Sequence, residues 1–365
     1  MGATQAGKAY LMATAGQFAL ESFWGNQAVA TTLAQMIETR RIAQAILLGG
    51  PEGIGKATLA RRFGARLLGG GDKIERDDLS LPENADLIQE REKWTAEKRA
   101  DAPLFFSSHP DFVTFAPDGP MRQISIQQMR VLKERAQFRP HSAGRRVFLI
   151  DRLDRANEQA ANSLLKLLEE PPPYLVLIAT TENIYDLLPT IRSRSIVFSM
   201  SRLTDEEMRG FAAEKGLADA GNRVMVAEGS PGLATTLNLE EYRQRRALMM
   251  ALFECAAGAA PFGTWVQRSE SFGAKKSEKL DLYSKVAYGL LEDLLICWHG
   301  GEAVKNRDLH REISALAGRV SFRWIESAAA SIDELVRMAG RNIQKMVALD
   351  AVVINLRNGS EPARA

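Results

Sequence analysis

Cysteine is scarce: the 365 residues hold only Cys255 and Cys297. Two distant thiols cannot build a four-thiolate zinc site, and they give no disulfide framework. Both stand in apolar, helix-like surroundings and read as reduced core residues. His299 follows Cys297 by two positions, a spacing that turns the two side chains apart on a helix, and no further ligands lie beside it, so no metal is expected. Long apolar runs are missing too. None reaches the roughly 18 residues of a membrane span. The stretch YLMATAGQFAL after Lys8 is a poor match to a signal peptide. No membrane and a reducing, cytoplasmic setting are therefore expected. Charge of one sign is also lacking: 47 basic against 45 acidic residues leave a formal +2. That argues against a free-standing nucleic-acid binder built on a wide basic field.

What is present is enough apolar sequence, 45%, to build cores, in a chain long enough for two or three domains. Residues 26–41 repeat apolar positions at helical spacing. AILLGG then reads as a buried strand entering a glycine turn, and residues 56–68 return to helical spacing. Residues 69–103 are polar and rich in both charge signs, and read as an inserted, partly helical, mobile excursion. DFVTFAP, RRVFLID, YLVLIATTEN and SRSIVFSM are strand-like, with helical ISIQQMRVLKERAQF and ANEQAANSLLKLLEEPPP between them. Strands alternating with helices predict a parallel sheet covered on both faces. After Leu203 strand patterns stop. Thr204 and Glu207 form a capping-box signature, and helices follow to about Arg357. Within them ALMMALFECAA reads as bundle core.

The motif with chemistry in it is GPEGIGKA, residues 50–57: glycine, four residues, Gly-Lys, between a strand and a helix. Such a loop cradles phosphates with backbone N–H groups at a helix N-terminus, and its lysine reaches the β- and γ-phosphates. Gly50, Gly53, Gly55 and Lys56 fit that pattern. The next residue should carry the hydroxyl that holds Mg²⁺, and here it is Ala57. Thr58 stands one position on, about 100° round the helix. The acid ending VFLID is Asp151, but Arg152 follows it where a water-orienting Glu is usual, and a cation cannot accept a proton. Thr180 and Thr181 close a strand predicted to lie beside the loop, and either can face a phosphate. Two readings of the loop stand: it holds ATP or ADP, or it is kept for its turn, with Lys56 capping backbone carbonyls. Glu169 and Glu170 close an apolar helix before prolines and read as structural or interface residues rather than an acid/base pair.

Together these pieces resemble the AAA+ clamp-loader subunits of bacterial DNA polymerase III. NSLLKLLEEPP, residues 162–172, is the most specific of them. Around it stand RIAQAILLGGPEGIGK, GRRVFLIDRLDRAN, LIATTEN and TIRSRS, and the likeness covers about residues 20–357. HPDF followed by ISIQQMRVL, and the C-terminal helices, are similar to the delta-prime group. The resemblance implies an α/β P-loop domain with a parallel sheet over residues 1–200. It also implies a small helical lid over 201–240 and an all-α collar over 241–365. A four-Cys zinc module usual in relatives is replaced by the cysteine-free stretch 69–103, so no zinc is expected. GSPG, residues 229–232, has Gly232 where a phosphate-contacting Arg is usual. Arg194 matches an arginine that, in the family, reaches across to a neighbour's ATP. Arg192 is the competing candidate. The implied partners are the delta and gamma/tau subunits in a hetero-pentamer and, through the complex, the sliding clamp and primer-template DNA.

Overall fold

A computed structural model of the chain describes residues 19–141, 144–273, 280–339 and 345–358. It divides into two compact units, residues 1–235 and 236–365.

The first unit is built on a six-stranded sheet of order β2-β3-β4-β5-β1-β6. The strands are β1 (Ala45–Gly49), β2 (Phe106–His109), β3 (Phe112–Phe115), β4 (Arg146–Ile150), β5 (Leu175–Thr181) and β6 (Ile196–Ser199). From β3 across to β6 all pairings are parallel, as the alternation of strands and helices predicts. β2 differs: it is an edge strand, antiparallel to β3. Its sequence FSSH is short and half polar and gives no strand signal, and HPDF forms the tight link between the two strands. Asp111 N–H donates to His109 Nδ1 at 3.1 Å within that link.

Burial of both sheet faces follows from period-two alternation. Ile46, Leu48, Val147, Leu149, Val176 and Ile178 enter one core, with Leu33, Leu59 and Phe63. Those last three come from α1 (Gln27–Glu38) and α2 (Lys56–Leu68). Leu47, Phe148, Ile150, Leu175 and Leu177 enter the opposite core. They meet Met129 and Leu132 of α6 (Ile126–Ala136), and Leu164 and Leu168 of α7 (Glu158–Glu169).

Residues 69–103 hold three short helices: α3 (Gly71–Glu75), α4 (Pro82–Arg91) and α5 (Ala96–Asp101). They are tied to the domain by charge. Buried Arg61 of α2 donates to Glu75 at 3.0 Å and also pairs with Asp78. Buried Arg91 grips Asp118 through two bonds of 3.0 and 2.6 Å. The mixed charges of this segment are therefore its anchors rather than only a solvated face. After β5, α8 (Pro189–Arg192) leads into β6. Then come α9 (Asp205–Glu214), α10 (Ala220–Ala227) and α11 (Pro231–Thr236). Thr204 and Glu207 form the reciprocal capping box at the start of α9.

The second unit is helical among the described residues: α12 (Leu239–Ala256), α13 (Phe262–Gly273), α14 (Leu280–Trp298), α15 (His310–Ala317), α16 (Phe322–Ala339) and α17 (Lys345–Asn358). Its core gathers Phe253, Cys255, Trp265, Leu290, Ile313, Trp324 and Leu349, so ALMMALFECAA is bundle core as its pattern indicates. Buried Asp293 caps the loop before α15, accepting from the N–H groups of Lys305 and Asn306 at 2.7 and 2.8 Å. Among the described residues no helix is long and apolar enough to cross a membrane.

A phosphate loop and a distant arginine

β1 ends at Gly49, and the chain turns at once into the loop that opens α2. Gly50, Gly53 and Gly55 all have positive φ, of 149°, 76° and 93°. All three are also packed against other backbone or side-chain atoms. A Cβ on Gly50 would stand 2.2 Å from the Met200 carbonyl oxygen, and one on Gly53 would stand 2.1 Å from Ser230 Oγ. The glycines are thus fixed by geometry whether or not a phosphate lies in the loop.

Lys56 is 8% exposed and turns into its own loop. Its Nζ donates to the carbonyl oxygens of Gly50 at 2.5 Å and Pro51 at 2.6 Å. Burial holds its ammonium below the ordinary lysine pKa, while the carboxylates of Asp151 and Glu182 pull the other way. Ala57 packs against the α1–α2 core, so this turn offers a methyl where a metal-binding hydroxyl would stand. Thr58 is half-buried at the next position of α2.

Asp151 follows β4 and is bonded to β5: Thr180 Oγ1 donates to its Oδ1 at 2.6 Å. The same hydroxyl oxygen accepts the N–H of Arg152 at 2.8 Å. Burial pushes the Asp151 carboxyl above its ordinary value, against the Thr180 bond and the nearby cations. Thr181 is used locally, donating to Asn183 O at 2.8 Å, so Thr180 is the threonine that joins the site.

Arg152 adopts the left-handed region, φ 58°. Its guanidinium lies between the P-loop and the end of β5, 3.4 Å from Glu52 and paired with Glu182. A cation thereby bridges two acids where a motor would present a water-orienting carboxylate. Glu182 and Glu52 were not candidates from sequence. Glu182 could have been found, because it follows a strand whose last residue, Thr181, pairs with Gly49 beside the loop.

Gly232 also meets the loop. Its N–H donates to Gly53 O at 2.8 Å, and a Cβ there would stand 3.0 Å from that oxygen and 3.1 Å from Gly53 Cα. Ser230 Oγ donates to Glu52 O at 3.3 Å. Residues 230 and 232 thus form a clasp on the P-loop backbone.

Arg194 stands elsewhere. Ile196 pairs with Ile46, so Arg194 lies beyond the start of β1, whereas Lys56 lies beyond its end. The strand between them is roughly 16 Å long at about 3.3 Å per residue. Arg194 is half-exposed; its Nη2 is 2.8 Å from Glu169 Oε1 and its Nη1 donates to Thr190 O at 3.1 Å. Arg192 is engaged over the Tyr185 ring, 5.3 Å from its centroid.

Sequence comparison places this geometry among known proteins. Residues 25–204 match the family described as DNA polymerase III, delta subunit. The chain is 34% identical over 154 residues to DNA polymerase III subunit delta' of Pseudomonas aeruginosa, a match covering 42% of each. It is 24% identical over 248 residues to subunit delta' of Escherichia coli, covering 66% of this chain and 72% of that one. Subunit gamma/tau of Mycobacterium tuberculosis is 28% identical over 189 residues, 52% of this chain and 30% of that one. The chain spans less than half the length of the Pseudomonas protein and of a matching Buchnera gamma subunit, at 42% and 46%. The match over residues 25–204 and these relatives support a clamp-loader protein of the AAA+ family.

Proposed function

We propose that this chain is a delta-prime-type stator subunit of a bacterial DNA polymerase III clamp loader, working in the cytoplasm. In this reading it does not hydrolyse ATP itself and supplies Arg194 to the ATP of an adjacent subunit. Its partners are the delta and gamma/tau subunits of a hetero-pentamer. The complex loads the sliding clamp onto primer-template DNA. Residues 201–240 serve as lid and 241–365 as the collar through which subunits join.

The observation that carries this reading is the set of residues that stand at and around the P-loop. Ala57 offers no metal hydroxyl, Arg152 is a cation bonded to Glu52 and Glu182, and Gly232 clasps Gly53. In this reading, turnover lacks both its metal ligand and its water-orienting acid.

Arg194 has the opposite character. It is half-exposed, far from its own P-loop, and carries a planar donor fork. At a neighbour's γ-phosphate such a guanidinium stabilises the charge that develops in phosphoryl transfer, worth about 10³–10⁵ in rate. That corresponds to roughly 4–7 kcal/mol of barrier. Lysine lacks the fork and is expected to be a poor replacement.

The alternative is a gamma/tau-type motor, which relatives of that kind keep in view. Mg-ATP turnover by the purified chain separates the two. The stator reading expects none above background. Sustained hydrolysis that disappears in Lys56→Ala would establish the motor instead.

A further inference from the structure

Glu169 breaks a local rule. It is the last residue of α7, where the helix dipole is negative and a carboxylate is disfavoured. A second acid, Glu170, follows it. Residues at odds with local preference mark places where something else is gained. At Glu169 the gain is visible: its Oε1 accepts from Arg194 Nη2 at 2.8 Å.

The platform beneath the carboxylate is rigid. Three prolines stop the chain after α7, and Gln44, just before β1, donates to the carbonyls of Pro171 and Pro172 at 3.4 and 3.0 Å. Arg194 is held from the other side by Thr190 O at 3.1 Å. Two bonds to different nitrogens fix the plane of the guanidinium. Both residues line a cavity of about 420 Å³ at the starting ends of β1, β5 and β6, the edge opposite the P-loop.

We infer that Glu169 is a positioning residue for Arg194, holding the guanidinium at the edge where an adjacent subunit's phosphate is to be met. The inference rests on the finger reading above. Magnitude separates positioning from sequestration. The carboxylate is half-exposed, and an ion pair this open to water is weak. It is too weak to withhold a guanidinium from a triphosphate. It is sufficient to bias the rotamers of a long side chain toward one orientation.

The test uses a loader reconstituted from the full chain, motor subunits, clamp and primed DNA, with single-turnover ATP hydrolysis read at the site adjoining this chain. Glu169→Ala is expected to lower kcat about two- to fivefold, the rate equivalent of a weak ion pair. KM for ATP and assembly by gel filtration should be unchanged. Glu169→Asp should recover part of the loss. In an Arg194→Ala background Glu169→Ala should add nothing, a non-additivity that a merely structural glutamate does not produce. A wild-type or raised rate in Glu169→Ala, or a full further loss in the Arg194→Ala background, overturns the positioning role while leaving the finger intact. An Arg194→Ala loader with normal hydrolysis overturns the finger reading, and the positioning role with it.

Discussion

Lys56 and Asp151 are each held by their immediate neighbours, Lys56 by its own loop and Asp151 by β5. The lysine bonds two carbonyls of its own turn. Replacing it by alanine removes two hydrogen bonds to part-buried acceptors, and a loss of about 1 kcal/mol in folding stability is expected from denaturant melts. Asp151 makes a pH prediction. Burial raises its carboxyl in the folded chain, so the folded state keeps this proton to higher pH than the unfolded state does. Its contribution to stability therefore falls as pH rises through the interval between the ordinary carboxylate value and the raised one. Asp151→Asn keeps an acceptor for Thr180 and has nothing to titrate. The variant should show a flatter stability profile above about pH 4, and at pH 7 should be at least as stable as the parent. A steeper profile, or marked destabilisation at pH 7, contradicts the assigned cause. Ala57 and Arg152 can be read from the sequence because the motif fixes their positions. The partners of Arg152 cannot be, because Glu52 and Glu182 lie 100 and 30 positions away and meet it only through the sheet register.

At the scale of elements, strand and helix order was legible because the central strands are buried on both faces and their helices are amphipathic. The antiparallel edge β2 was not, since four residues with two serines carry no periodic signal. The helices of 69–103 were only partly legible. Their order comes from Arg61 and Arg91 pairing with acids distant in sequence, and charge pattern alone reads as solvated surface. The contact of segment 229–232 with the P-loop yields another prediction. Gly232→Arg would supply the residue type that the motif resemblance leads one to expect, yet its Cβ would crowd Gly53 at 3.0–3.1 Å. Overpacking of that kind typically costs about 1–3 kcal/mol. The variant should melt at lower temperature and gain no ATPase activity. ATP hydrolysis gained by Gly232→Arg would contradict this expectation.

At the scale of the whole molecule, the chain forms two compact units, and the second has a hydrophobic core of its own. The core around Phe253, Trp265 and Trp324 draws every residue from 248–356. A fragment of residues 236–365 should therefore fold alone, giving a helical circular dichroism spectrum and a cooperative thermal transition. A broad, non-cooperative melt would show that this core depends on the first unit. The proposed role of Arg194 toward a neighbouring subunit can be measured directly. The direct measurement is single-turnover ATP hydrolysis at the adjoining site of a reconstituted loader, comparing the parent chain with Arg194→Ala at equal assembly. A loss of about 10³-fold or more at that site, with the isolated chain inactive throughout, is the predicted result. Equal rates for the two loaders would contradict it.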